Sequence, residues 1–493
     1  MNILKEQQGD LVAKPKIEVL SKDEIREIHI RSLNILSRVG VMINHEGALK
    51  ILKDTGAEVN FNRKIAKIPE HLVREALKKL PSIIKIYYRD GKRYIELCGR
   101  STYFALGSTA FYYVDWRTDE IRRPLSGDMA DVAKIIDVLP NIHIAIPGMV
   151  PGDVPEIVAD RWRTYIVIKN SSKPMGTSAF TIEGVPDLVK LWATVVGEEN
   201  VSRKPFYLYA CPSPPLKWSD VTTQIVIDAA KYGIPVHIIP MPQTGATAPA
   251  TLAGAIVEAN AEFLSGVVIA QFMKSGTPII YSGSACVFDQ RYATACTGYI
   301  EVGLMAAAFS QLAKFYGVPS SHWVMSSDAK IVDPQATLES AFGALIAVLS
   351  GLDIAIGAGM LLEENAISPV KLVIDDDIAG SALRFAKGIH VNIETLADWL
   401  IEEVGPGGLF LKYKHTREWW RKEHYIPKLL DKTTTYMWKK CGSKTLNIVA
   451  KEYVEKILKE HVVEPLPSDI EKDLDRTMLE ILKRYGIEKL PQI

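Results

Sequence analysis

The chain is short of cysteine, of net charge and of uninterrupted apolar sequence, and each shortage excludes something. Its five cysteines, Cys98, Cys211, Cys286, Cys296 and Cys441, are odd in number, and none forms a Cys-x-x-Cys pair. That argues against a disulfide framework and for free thiols in a reducing, cytoplasmic setting. Lys plus Arg number 58 and so do Asp plus Glu. With no dense basic run, no nucleic-acid partner is expected. No apolar run reads as long and uncharged enough to span a bilayer, so no membrane partner is expected. The start, Met1-Asn2-Ile3-Leu4-Lys5-Glu6, lacks the apolar centre of a signal peptide. No Gly-x-Gly-x-x-Gly follows the first apolar run, which counts against an open dinucleotide-binding sheet. No His or Cys pair has a zinc spacing, so no metal is expected.

What is present is length and apolar content: 493 residues, 47% of them hydrophobic. That suits a large domain with additions. Residues 1–100 read as an N-terminal α/β appendage. A helix is expected from Lys22 to Val39 with Ser21 as N-cap, with others over 46–54 and 69–79. Strands at 83–88 and 94–97 flank Asp90-Gly91, a hairpin signal.

Residues 101–377 have a different texture. Eight short apolar runs start at Thr102, Ile142, Lys173, Phe206, Val236, Ile279, Ser321 and Ile354. Their starts lie roughly 30 to 42 residues apart, the span of a repeated βα unit, and amphipathic helices fill the gaps. Eight units predict an α/β fold, a TIM (β/α)8 barrel. Residues 378–493 read as a C-terminal helical extension, with helices over 396–404, 417–430, 445–459 and 470–485. This extension suits the outside of the barrel or a homo-oligomer interface.

Barrel chemistry sits at the carboxyl ends of the strands. Those ends carry small residues and hydroxyls, among them Ser108, Ser213, Ser284 and Ser327, with few acids. No acid–base pair and no activated nucleophile stands out. His143, His237 and His322 lie within apolar runs, where a histidine is more often a hydrogen-bonded core residue than a ligand. Aromatic residues are better represented: Tyr103, Phe104, Tyr207, Tyr209, Tyr281 and Trp323. Gathered at the mouth, they would suit a quaternary ammonium. After the fifth run comes Met241 through Gly254, a strand-to-helix turn of small residues. Backbone N–H groups there, with the side chains of Gln243, Thr244 and Thr247 around Gly245, are expected to bind an anion such as a betaine carboxylate.

Met241-Pro-Gln-Thr-Gly-Ala-Thr-Ala-Pro-Ala-Thr-Leu-Ala-Gly254 also resembles the signature of the trimethylamine methyltransferase family. So do Arg122-Arg123-Pro124 with Asp128, Asn170 to Pro174, Ser327-Asp328-Ala329-Lys330 through Asp333, Gln335 and Glu339, and Leu372 to Asp376. The likeness continues at Trp420, His424 and Pro427 and covers almost the whole chain. It implies a TIM barrel that moves a methyl group from a methylated amine to the cobalt(I) of a corrinoid (cobalamin) carried by a separate cognate protein. Catalytic roles would then fall to Asp328, Lys330 and Glu339. The amine would be bound by Tyr103, Tyr209, Tyr281, His322 and the 243–247 turn. Ser108, Ser213, Ser284 and Ser327 would face the corrinoid.

The archetypal enzymes of that family carry pyrrolysine near the seventh strand, in the neighbourhood of His322 to Lys330, where this chain has only standard residues. Ile356 is a second departure, at a place where relatives often show His or Tyr. Members without pyrrolysine act on quaternary amines such as glycine betaine, which makes a quaternary amine the expected substrate. Two other classes fit the residues less well: a metal-dependent barrel lyase or isomerase, and a non-catalytic betaine-binding protein.

Overall fold

A computed structural model describes residues 15–493. The segment bearing on the signal-peptide expectation lies outside the described residues. Eight parallel strands form a barrel. They are β1 Tyr103–Leu106, β2 Ile142–Ile144, β3 Gly176–Thr177 and β4 Tyr207–Ala210, then β5 Val236–Ile238, β6 Ile279–Ser282, β7 Ser320–Trp323 and β8 Ile354–Ala358. Each pairs with the next, and β8 returns to β1 with Ala355 opposite Phe104. The β2–β3 seam is held by a single bridge, Ala145 to Met175. Nearly every strand residue is buried, because the barrel interior packs one face and helices cover the other.

One helix follows each strand. These are α1 Ser126–Val138, α2 Glu156–Asn170, α3 Gly184–Val196, α4 Asp220–Tyr232, α5 Leu252–Met273, α6 Ile300–Tyr316, α7 Pro334–Ser350 and α8 Pro369–Ala386. Their ends obey local rules. The Asp333 side chain accepts the Ala336 N–H at 3.1 Å, with Pro334 in the first turn of α7. Gly317 ends α6 at φ 70°, a conformation that costs glycine little. Helix α5 corrects one expectation: by length and composition it could cross a membrane, but most of it is buried in the protein and it carries buried Glu258 and Glu262.

The segment before the barrel forms helices at Lys22–Arg38, Glu46–Asp54 and Glu70–Leu77 and a small sheet. Ser21 and Glu24 make the capping box that starts the first helix. The sheet recruits Lys217–Trp218, from the loop after β4, as a parallel partner of Val41–Ile43. Beyond the barrel, helices Leu446–Glu460 and Ser468–Lys483 pack on the outer ring. The helix expected over 417–430 stops at Glu423. The buried carboxylate of Asp377 takes the N–H groups of Lys428 and Leu429 at 3.0 and 2.6 Å, which holds that stretch out of helix.

Candidate active site

The strands' carboxyl ends open on a cavity of about 390 Å³. A larger groove, about 850 Å³, lies at the opposite end, near Arg100, Lys314 and Arg384. Barrel chemistry belongs to the carboxyl end, so the smaller cavity is the candidate. Its walls include Ser108 and Thr109 after β1, Phe180 after β3, Cys211 after β4, Met241 after β5 and Glu364 after β8. Tyr209 and Trp323 line it from β4 and β7.

Tyr209 and Trp323 belong to an aromatic layer inside the barrel. Tyr207 and Tyr209 meet edge to face at 5.6 Å, and His237 stacks on Trp323 at 6.2 Å. Room for Tyr207 depends on Gly176, because a Cβ there would lie 2.3 Å from the tyrosine ring. Burial pushes His237 down to about 3, so the ring is neutral, and its Nε2 lies 2.5 Å from Ser321 Oγ. The Tyr209 hydroxyl faces Ser108 without a well-formed hydrogen bond.

Glu364 arrives on an unusual turn. Leu362, Glu363 and Glu364 all take positive φ, at 55°, 50° and 71°. Asn365 pins the turn by donating to the Leu362 and Glu363 carbonyls at 3.0 and 3.2 Å. Runs of left-handed non-glycine residues are costly and concentrate where a side chain must be aimed. Burial pushes the Glu364 carboxyl up to about 8, against one hydrogen bond from Ser326 Oγ at 3.4 Å. Cys211, pushed up to about 12 by its surroundings, is no thiolate at neutral pH.

Several expected site residues lie elsewhere. Tyr103 is at the amino end of β1, edge-on to His143, away from the mouth. Tyr281 points out of the barrel, donates to Asn260 Oδ1 at 3.0 Å and packs on Phe263. His322 also points outward, with Nδ1 on the Trp323 carbonyl at 3.0 Å and its ring against Phe309. Of the four serines, only Ser108 lines the cavity. Ser327 Oγ is bound to Glu339 at 2.5 Å and Ser284 Oγ to Ser282 at 3.0 Å, while exposed Ser213 bonds the Lys217 carbonyl through its backbone.

The 243–247 turn is also corrected. Ala246, Thr247 and Ala248 donate their N–H groups to the Gln243 carbonyl, and Gly245 donates to Ala248. Thr247 Oγ1 accepts the Gln243 N–H at 2.9 Å. The backbone N–H groups of residues 245–248 are spent within the turn, and residues 243–247 do not line the cavity. Helix α5 starts only at Leu252, with Thr251 as N-cap, so Pro249 precedes the helix.

Asp328, Lys330 and Glu339 form a bracket between loops. The Asp328 carboxylate accepts the N–H groups of Thr297 and Gly298 at 2.8 and 3.0 Å. Glu339 accepts the Asp328 N–H at 2.9 Å, and exposed Lys330 reaches the Asp328 carbonyl and Glu363. None of the three lines the cavity. Asp328→Asn should therefore cost stability, about 1–3 kcal/mol, because an amide cannot accept on both sides. An unchanged melting temperature with lost activity would overturn the bracket assignment.

Trp323, named among the strand aromatics, does line the cavity, whereas Glu364 and Phe180 were not singled out by sequence reasoning, and neither was Arg163, on helix α2. Glu364, Phe180 and Arg163 carry no local signal.

Residues 4–482 match the family model described as trimethylamine methyltransferase. The trimethylamine methyltransferase of Methanosarcina barkeri is 36% identical over 475 residues, covering 93% of this chain and 94% of the relative. The glycine betaine methyltransferase of Desulfitobacterium hafniense is 32% identical over 479 residues, covering 96% and 99%. The crystal structure of the Methanosarcina barkeri monomethylamine methyltransferase superposes with a TM-score of 0.54 at 12% identity, covering 95% of this chain and 89% of the other, which supports the barrel alone. The chain belongs to the trimethylamine methyltransferase family and is a methyltransferase enzyme.

Proposed function

We propose that the chain takes a methyl group from a quaternary amine and passes it to the cobalt(I) of a corrinoid held by a separate protein. The observation that carries this is the mouth cavity itself, with an aromatic floor and two carboxyl groups, Glu364 and the Lys330-paired Glu363. A quaternary nitrogen is already a cationic leaving group, so no side chain has to protonate it. Tyr209 and Trp323 offer ring faces to the cation, worth about 0.5–2 kcal/mol, and Glu364 offers a carboxylate. The chain's remaining task is to hold one methyl toward the opening at roughly 3–3.5 Å from its acceptor and to exclude water. The acceptor supplies the nucleophile.

The rim fits an acceptor delivered from outside. Phe111, Tyr112, Ile182, Tyr292 and Ile331 stand exposed on the mouth loops, the surface a docking protein covers. Exposed Ile389, Ile393, Trp399 and Leu411 in the C-terminal segment support a homo-oligomer built from that segment. Sedimentation of the intact chain tests it, and a monomer at micromolar concentration would count against it.

An anaerobic assay with cob(I)alamin and a panel of methylated amines, read by methylcobalamin absorbance, tests the reaction. Transfer from at least one quaternary amine is expected, faster with a cognate corrinoid protein than with free cobalamin. Demethylation at full rate without any corrinoid would sink the proposal.

A further inference from the structure

Helix α2 carries two arginines, Arg161 and Arg163, neither with any exposed surface. They differ in what surrounds the charge. Arg161 meets Asp160 at 2.9 Å and Asp187 at 3.1 Å, and its Nη2 donates to Thr181 Oγ1 at 2.7 Å. Arg163 has no carboxylate partner among the described residues. Its Nη1 makes two long hydrogen bonds, to Thr109 Oγ1 at 3.2 Å and the Pro147 carbonyl at 3.3 Å. The guanidinium lies 4.4 Å from the Phe180 ring centroid. Nε and Nη2 have no hydrogen-bond partner among the described residues.

A buried cation with two idle donors is expensive, and protein interiors avoid it unless something else completes the shell. The Phe180 face offsets only part of the cost. Burial draws the guanidinium down to about 10, which still leaves it charged at neutral pH. Its position suggests what completes it. Thr109 and Phe180, which Arg163 touches, are walls of the mouth cavity. Thr109 is held at φ 65°, and its hydroxyl lies 2.9 Å from that of Ser108, also on the wall. Glu364 enters on the loop after β8, beside Ser326, whereas Arg163 stands behind the loops after β1, β2 and β3. No ion pair joins Glu364 to Arg163. The cavity therefore has an acidic group on one side and an unsatisfied cation behind the other.

We infer that Arg163, with Thr109 and Ser108, is the anion-binding corner of this cavity and selects a methylated amine that carries its own carboxylate. The inference rests on the methylated-amine reading proposed above. A betaine-type zwitterion places its carboxylate at Arg163 and its ammonium among Tyr209, Trp323 and Glu364. A simple tetraalkylammonium leaves the guanidinium uncompensated. This assigns to Arg163 the anion-binding role expected of the 243–247 turn, whose backbone N–H groups are spent internally.

Calorimetric titration with glycine betaine and with tetramethylammonium tests it on wild type, Arg163→Met and Arg163→Lys. Arg163→Met should weaken glycine betaine roughly 10- to 100-fold, the span of a hydrogen-bonded charge pair, and leave tetramethylammonium within twofold. Arg163→Lys should restore part of the preference. Should Arg163→Met fold poorly by melting temperature, Thr109→Val serves instead, with a smaller loss confined to glycine betaine. Equal losses for both ligands, an unchanged ratio, or wild-type protein that does not bind glycine betaine would overturn the inference. The methylcobalamin assay separates the two readings. Methyl transfer without a betaine preference keeps the reaction and removes the anion corner. Arg163-dependent betaine binding without transfer to any corrinoid does the reverse.

Discussion

Lys371→Met should lower the stability of the chain by about 3–5 kcal/mol, the usual result of stripping one partner from a buried ion pair. The Lys371 side chain is 1% exposed and that of Asp375 is 0%, with Nζ and Oδ2 at 2.6 Å. Lys371 also donates to the Met325 carbonyl at 2.9 Å, just past β7, and to Ser340 Oγ at 2.7 Å. Asp375 accepts the Gly359 N–H at 2.7 Å, just past β8. The pair thus ties two neighbouring strand ends at the mouth to helix α8. Burial pushes the Asp375 carboxyl up, and Lys371 is the chief influence pulling it back. Without the lysine, ionised Asp375 is stranded. An acid whose folded-state value is raised destabilises the fold above that value and is relieved as pH falls. The deficit should therefore be smaller at pH 5 than at pH 8. The double variant Lys371→Met, Asp375→Leu should recover most of it, as apolar replacements of buried pairs do. Denaturant midpoints measure all three, and a single-variant loss below about 1 kcal/mol would show that the pair is not the brace.

Asp375 also marks where sequence reading ends. Eight buried runs at regular spacing made the barrel legible, because a parallel barrel needs continuous apolar strands with helices between them. The dispersed polar motifs were legible as motifs, but their roles were not. Asp328, Glu339 and Asp375 spend their hydrogen bonds inside the protein, and a sequence does not say where a carboxylate's partners come from. Strand phase was hidden for a related reason. Both faces of a barrel strand are apolar, so alternation separates His322 from Ser321 and Trp323 without saying which set faces in. Arg163 was hidden because α2 is buried over 158–168 and offers no polar face to orient it. Glu364 lies past the end of β8, on a turn whose left-handed residues are not glycines.

Raising the pH from 6 toward 8 should tighten the binding of tetramethylammonium, by close to tenfold per unit below about 8. Glu364 sits in the cavity with its carboxyl pushed up to about 8 by burial, so at pH 6 it is almost wholly protonated. A quaternary ammonium gains from the carboxylate and much less from the neutral acid. If it binds only the ionised form, its affinity follows the ionised fraction, which changes tenfold per unit below the group's value. Glu363 also lines the cavity and is ion-paired with Lys330. The other shifted groups around the cavity do not cross this range. Burial holds His237 near 3, Arg163 near 10 and Tyr209 well above its ordinary value, and the Cys211 thiol is shifted up, away from this range. Asp328 is also raised, chiefly by burial, but its hydrogen bonds to Thr297 and Gly298 favour the charged form and it does not line the cavity. Binding near pH 6.5 should then release about one proton per ligand, visible as a difference between heats measured in phosphate and in Tris. Glu364→Gln should flatten the profile and abolish the buffer difference, leaving the weaker affinity supplied by Tyr209 and Trp323. A flat wild-type profile, or a slope that survives Glu364→Gln, would remove Glu364 from the ammonium site and leave the aromatic floor to hold the cation alone.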